Sequence, residues 1–411
     1  MFYGRSLFDQ KTATTAAKRK DRIIGVDAAR GLALIGMMAI HILPGWNEDG
    51  EPTFAWQLLS GTSAALFAFL AGISLAFVSG GARAVGGRTL TAAKASLAVR
   101  ALIIAGIGLL IGLLDPPAAI ILAYYGMMFL LAIPLLGLSP RMLGFAAVGF
   151  AILGPILMQA LRRPLPDLEG YDPSLSLLFS DPGGVVSALL FTGSFPAVPY
   201  MAYICAGLAI GRMNLRLRDV QKRLVIGGAI LAVATWLFAL LMLEPMGGRE
   251  ALVGSSPRLG AEGVEEVLIW GPEIGLPTSS GWWLTVLSPY SSTPVEILNT
   301  LGVAAVVLGL MLWVGSKVMW IITPLATAGA MTLTLYSVHL VVLATGFLAQ
   351  QPRLSLAIQI AAAVLFAVLW RNVTGRTQGP LERVVAQASD RTRRRILASA
   401  GTVSPNPEHK P

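Results

Sequence analysis

Ten long apolar runs occupy most of this 411-residue chain, at residues 24–46, 54–79, 95–114, 118–138, 142–161, 195–211, 224–243, 295–314, 318–348 and 354–370. A bilayer core of about 30 Å takes roughly 20 apolar residues to cross as a helix. The fold class expected is therefore all-α, a polytopic integral membrane protein of about ten transmembrane helices. Composition agrees: 13% of residues are charged, 55% are hydrophobic, and the mean hydropathy is +0.69. A soluble domain carries about 25% charged residues. Residues 183–191 are apolar but short, and suit an interfacial or re-entrant helix as well as a crossing.

The distribution of charge supports this count independently. Lys and Arg are retained in cytoplasmic loops when helices insert. With both termini cytoplasmic, 26 of the 31 Lys and Arg fall inside, against 7 of the 22 Asp and Glu. The basic clusters Lys18, Arg19, Lys20 and Arg22, then Arg212, Arg216, Arg218, Lys222 and Arg223, then 391–395 all land on that side. They read as topology signals and lipid-headgroup contacts. The net charge of +9 is thus spread between apolar runs rather than set in a stripe with aromatics, and no nucleic-acid partner is expected. One cysteine, Cys205, and three histidines give no material for an internal disulfide or a metal site.

The organisation expected is a cytoplasmic N-terminal segment over 1–22, a transmembrane half over 23–215, a second over 216–385, and a basic, disordered tail over 386–411. The first 23 residues are polar and basic with no exported-type cleavage site, so the first helix acts as its own insertion signal. Two long extracytoplasmic loops, 162–194 and 244–294, carry Trp270, Trp282, Trp283 and Tyr290, which suit interfacial anchoring as well as function.

Ionisable residues inside apolar spans are costly, so each is a candidate site. The first span holds Asp27 and Arg30, three residues apart and able to pair, and then His41. Arg30 and His41 are separated by just over three helical turns, so they share a face about 16 Å apart along the axis. His339 lies on a face with Thr332 and Tyr336 in the ninth span, at a depth similar to that of His41. Two imidazoles there could line one cavity and take a proton from an acceptor, or could be neutral histidines bonded between helices. Arg100, at the start of the third span, could join Arg30 in holding phosphates or could snorkel to the boundary. Asp115, before two prolines, reads as a turn, and Glu296 as a helix-start carboxylate.

The segment from Arg22 through Asp27 and Arg30 to Met38 resembles the opening of the heparan-alpha-glucosaminide N-acetyltransferase catalytic family. Leu66-Phe67-Ala68-Phe69-Leu70-Ala71-Gly72 resembles its second helix, and Gly207-Leu208-Ala209-Ile210-Gly211-Arg212 its glycine-arginine helix end. The stretches 329–336 and Gly379-Pro380-Leu381-Glu382 resemble a C-terminal domain of bacterial relatives. The spacing of Arg30 and His41 also resembles the Arg and His motif of the wider acyltransferase-3 superfamily.

The resemblance implies a transmembrane acyltransferase of a bacterial cytoplasmic membrane. Acyl-CoA, acetyl-CoA first among donors, would bind from the cytoplasm with no metal, and the acyl group would pass to an extracytoplasmic glycan, lipid or cell-wall acceptor. A homodimer is compatible with it. In that reading His41 is the general base, His339 and Tyr336 assist it, and Arg30, steadied by Asp27, holds the donor with Arg100. The chain departs from the eukaryotic enzyme, which has Asn at the position of His41 and its catalytic histidine in the following loop, where this chain has Trp46, Asn47, Glu48 and Asp49. The alternative from another class is a transporter or lipid flippase, favoured by proline-broken segments such as 195–199.

Overall fold

The computed structural model describes residues 23–398 apart from 83–84, 274 and 316–317. The expected N-terminal segment, with its cluster from Lys18 to Arg22, and the end of the tail lie outside the described residues. Twelve helices carry the architecture: α1 (Ile24–Ile42), α2 (Thr62–Val78), α3 (Gly87–Ile111), α4 (Ile121–Ala132), α5 (Pro140–Leu161), α6 (Ala197–Gly211), α7 (Arg218–Leu243), α8 (Pro294–Val314), α9 (Met319–Gly329), α10 (Thr332–Ala344), α11 (Pro352–Thr374) and α12 (Pro380–Ala398). Their starts are written locally. Ser139 and Thr293 accept from the backbone N–H groups of Met142 and Glu296, each just ahead of a proline at the first helical position.

Among the described residues, seven helices are long and apolar enough to span a membrane, or nine if each of two bent pairs is one span. One pair joins Pro182–Thr192 to α6 at 48°, and the other joins α9 to α10 at 79°. Residues 183–191 therefore lie in the first limb of a bent pair, the geometry of a broken span or of a re-entrant loop. The run over 118–138, the fourth expected crossing, forms only the shorter apolar stretch Ile121–Gly137. The expected disorder from residue 386 is corrected: α12 is an amphipathic helix to Ala398, with Val385 and Ser389 buried against α3.

α6 is buried on nearly every side, between α2 and α5. Of the most apolar stretch in each span, 67% is inside for α1 and 72% for Phe54–Val78, against 28% for α5, 22% for α7 and 17% for α11. The latter three present Leu, Ile, Val and Phe outward, which in lipid carries no hydrophobic penalty. Within lipid, helices associate by close packing of small residues. A methyl group at Gly207 would sit on the carbonyl oxygen of Phe69 and at 3.0 Å from the Cα of Gly72. Gly207→Leu is therefore expected to force α2 and α6 apart, costing about 3 kcal/mol or more of stability, read as a lower melting temperature in detergent. An unchanged melt would refute this contact.

The resemblance-bearing Arg212 is not a lipid contact. Its guanidinium is buried and donates to the carbonyl oxygens of Gly81 and Leu136, tying the ends of α2 and of the Ile121–Gly137 stretch to α6.

Candidate functional site

Arg30 stands on the second turn of α1, where Nη1 lies 2.7 Å from Asp27 Oδ1 and Nη2 donates to the Ser74 hydroxyl of α2. Asp27 is 4% exposed. Arg100 is not at a helix start. α3 begins at Gly87, so Arg100 sits thirteen residues in, and its guanidinium lies 5.8 Å from the centre of the Phe129 ring on α4. Its buried Nε has no hydrogen-bond partner.

Both arginines line a cavity of about 490 Å³. Its walls come from α1, α2, α3, α4, α10 and α12, with Ser389, Asp390 and Arg393 of α12 among them. Along α1 the lining runs from Ile23 to Met37, a depth of about 21 Å. Glu382 fixes α12 in place. Its carboxylate accepts from the backbone N–H of Thr334 (3.1 Å) and from the Thr334 hydroxyl (2.5 Å) in the first turn of α10, where helix-end N–H groups otherwise lack partners.

At the deep end the cavity meets Tyr336, whose ring centre is 6.2 Å from that of His41, one turn above Met37. His41 does not itself line the cavity; its neighbour Tyr336 does. The tyrosine hydroxyl donates to the carbonyl oxygen of Ala119 (3.2 Å). His41 Nδ1 is 3.2 Å from His339 Nε2, and the rings are stacked 9° from parallel with centres 5.4 Å apart. Behind them, His339 Nδ1 is 2.8 Å from Gln359 Oε1, and Gln359 Nε2 donates to the Ser355 hydroxyl (3.1 Å). The structure thus joins Asp27 to Arg30 and His41 to His339, and sets Tyr336 and Arg100 on the wall between them.

Sequence reasoning passed over Ser74, Ser355 and Gln359. The last two are a polar pair one turn apart in an otherwise apolar span, the pattern that marks an intramembrane site. Glu296 is buried, as few helix-start carboxylates are. Among the described residues no cluster of three or more His, Cys, Asp or Glu could hold a metal ion.

The loop carrying Ala119 is held from outside the membrane by Asp172, which accepts from the Ile120 N–H (2.9 Å). Burial raises the Asp172 carboxyl from its ordinary value to about 7. Because the folded-state value exceeds the unfolded one, the protonated folded form is favoured below about pH 4. That contribution is lost as pH rises to about 7. Wild-type stability is expected to fall across this window relative to Asp172→Asn, and parallel melting curves from pH 4 to 8 would contradict it.

The model of the family described as heparan-alpha-glucosaminide N-acetyltransferase, catalytic, matches residues 22–240, a little over half of the chain. No curated protein matches. Asp27, Arg30, His41 and Arg100 fall within the matched region, whereas Tyr336, His339, Gln359 and α12 lie beyond it.

Proposed function

Since the chain belongs to the heparan-alpha-glucosaminide N-acetyltransferase catalytic family, a group of acetyltransferase-type membrane proteins, we propose that it transfers an acyl group from a CoA thioester across a bacterial cytoplasmic membrane to a hydroxyl or amine. The observation that carries this reading is one cavity with arginines along its wall and a hydrogen-bonded histidine pair just past its deep end.

The donor enters from the basic, cytoplasmic end. Arg30 and Arg100 both line the cavity, with Asp27 and Glu382 as nearby anions, and their guanidinium groups supply the donors that match nucleotide phosphate oxygens. α12 supplies the remaining wall. The pantetheine arm follows the apolar side chains toward Tyr336 and delivers the thioester there. Acetyl is the first acyl group to test, and a bacterial glycan, lipid or cell-wall sugar the acceptor.

His41 Nε2 takes the proton of the acceptor O–H or N–H as the acceptor atom bonds to the acyl carbon. The thioester C–S bond breaks, and the proton passes from the imidazolium to the departing thiolate, giving free CoA. Tyr336, anchored to Ala119, orients the thioester against the histidines. Product CoA returns to the cytoplasmic side.

The test is CoA release by purified protein in detergent, over a panel of acyl-CoA donors and simple amine or sugar acceptors. Acceptor-dependent release that needs His41 supports the reading. The bend of 79° between α9 and α10 beside the cavity favours a second reading, a transporter with a broken helix at its site. Folded protein that neither binds nor turns over any donor would move the assignment there.

A further inference from the structure

The histidine pair carries an ambiguity that the proposed chemistry must resolve: only a His41 tautomer with its proton on Nδ1 leaves Nε2 free to act as a base. A neutral imidazole carries one N–H, and either nitrogen can bear it. The contacts behind the pair remove the choice.

The chain of donors and acceptors begins at the far end. The Ser355 hydroxyl has a single hydrogen and donates it to the Phe347 carbonyl oxygen (3.2 Å), so toward Gln359 it can only accept. Gln359 therefore turns its NH₂ to Ser355 and its carbonyl oxygen to His339. A carbonyl oxygen cannot donate, so the hydrogen of His339 is on Nδ1 and its Nε2 holds a lone pair. His41 Nδ1, at 3.2 Å, must then be the donor, and His41 Nε2 is left unprotonated. Ser355 is 2% exposed and Gln359 7%, so no solvent competes for these groups. Burying an amide and a hydroxyl in an apolar span is costly unless both are fully bonded.

We infer that Gln359, held by Ser355, is the positioning residue that fixes the tautomers of His339 and His41 and so makes His41 Nε2 the proton acceptor. This rests on the proposed role of His41. Gln359 touches no reacting atom and acts through two imidazoles. Both residues lie on α11, outside the region the family model matches, so the device belongs to this chain's C-terminal half.

The experiment pairs kinetics with a direct reading of the ring nitrogens. Removing the acceptor with Gln359→Leu is expected to lower kcat about 10–100-fold, the order of effect seen when the outer partner of a metal-bound imidazole is lost, with KM for acyl-CoA within about twofold. Gln359→Glu keeps an acceptor at the same place and is expected to recover most of kcat. Its carboxylate makes the imidazoles more basic, so the acidic limb of the pH profile moves to higher pH. Nitrogen-15 NMR of histidine-labelled protein is expected to show His41 protonated on Nδ1 in the wild type and mixed tautomers in Gln359→Leu.

Wild-type protein with His41 protonated on Nε2 would overturn the inference, as would Gln359→Leu with unchanged kcat, pH profile and spectrum. If Gln359→Leu does not fold, Gln359→Glu and the wild-type spectrum decide it. Failure of the underlying function looks different: His41→Ala would then retain full transfer, whatever the spectra show.

Discussion

His41→Ala is expected to lower acyl transfer by about 10²–10⁴-fold, the contribution of a positioned general acid–base group, while acyl-CoA affinity stays within about twofold. The separation follows from the geometry. His41 lies outside the cavity lining, so its loss removes no contact to the body of the donor. His339 cannot stand in for it, because its Nε2 is set back behind His41 and its ring is committed to Gln359. The comparison needs CoA release for the rate, equilibrium titration for the affinity, and a melting curve to show that the variant folds. Transfer at the wild-type rate would end the assignment of His41, and a parallel loss of folding and transfer would make its role structural.

The second large effect belongs to the arginines, and the two should differ in kind. Arg100→Ala is expected to weaken acyl-CoA binding about 10–100-fold, since hydrogen bonds to charged groups contribute about 1.5–3 kcal/mol. Its buried Nε has no partner, so truncation orphans no hydrogen bond there and the fold should tolerate the change. An acyl-pantetheine, which lacks the nucleotide phosphates, should bind wild type and Arg100→Ala alike. Equal weakening for both ligands would show that Arg100 shapes the cavity rather than holding phosphate. Arg30→Ala should lower stability as well as affinity, because it strips Asp27 of a charged partner in a buried setting.

Much of this was legible in the sequence. The three-residue spacing of Asp27 and Arg30 predicts their ion pair, and counting residues from the cytoplasmic ends of two spans brings His41 and His339 to one depth. What was not legible has physical reasons. Arg100 looked like a boundary residue because the apolar run starts after Lys94, while α3 starts at Gly87 on polar residues packed against α12. The run 318–348 carries no charged Asp, Glu, Lys or Arg, and hydropathy gives no sign of the turn at Ala330 and Met331. α12 reads as a charged tail because its apolar stripe is narrow, and packing against α3 and α10 is what favours the helix. Gln359 was passed over because amides carry no charge to announce themselves.

The position of α12 also sets an order of events during synthesis. The wall that closes the arginine-lined cavity comes from residues 380–398, threaded back against a helix made some 280 residues earlier, and it brings Glu382 to the start of α10. A ribosome-bound chain can thus insert its spans and align the histidines while the cavity still lacks one side. The pocket becomes whole only when the last described helix is released and docks.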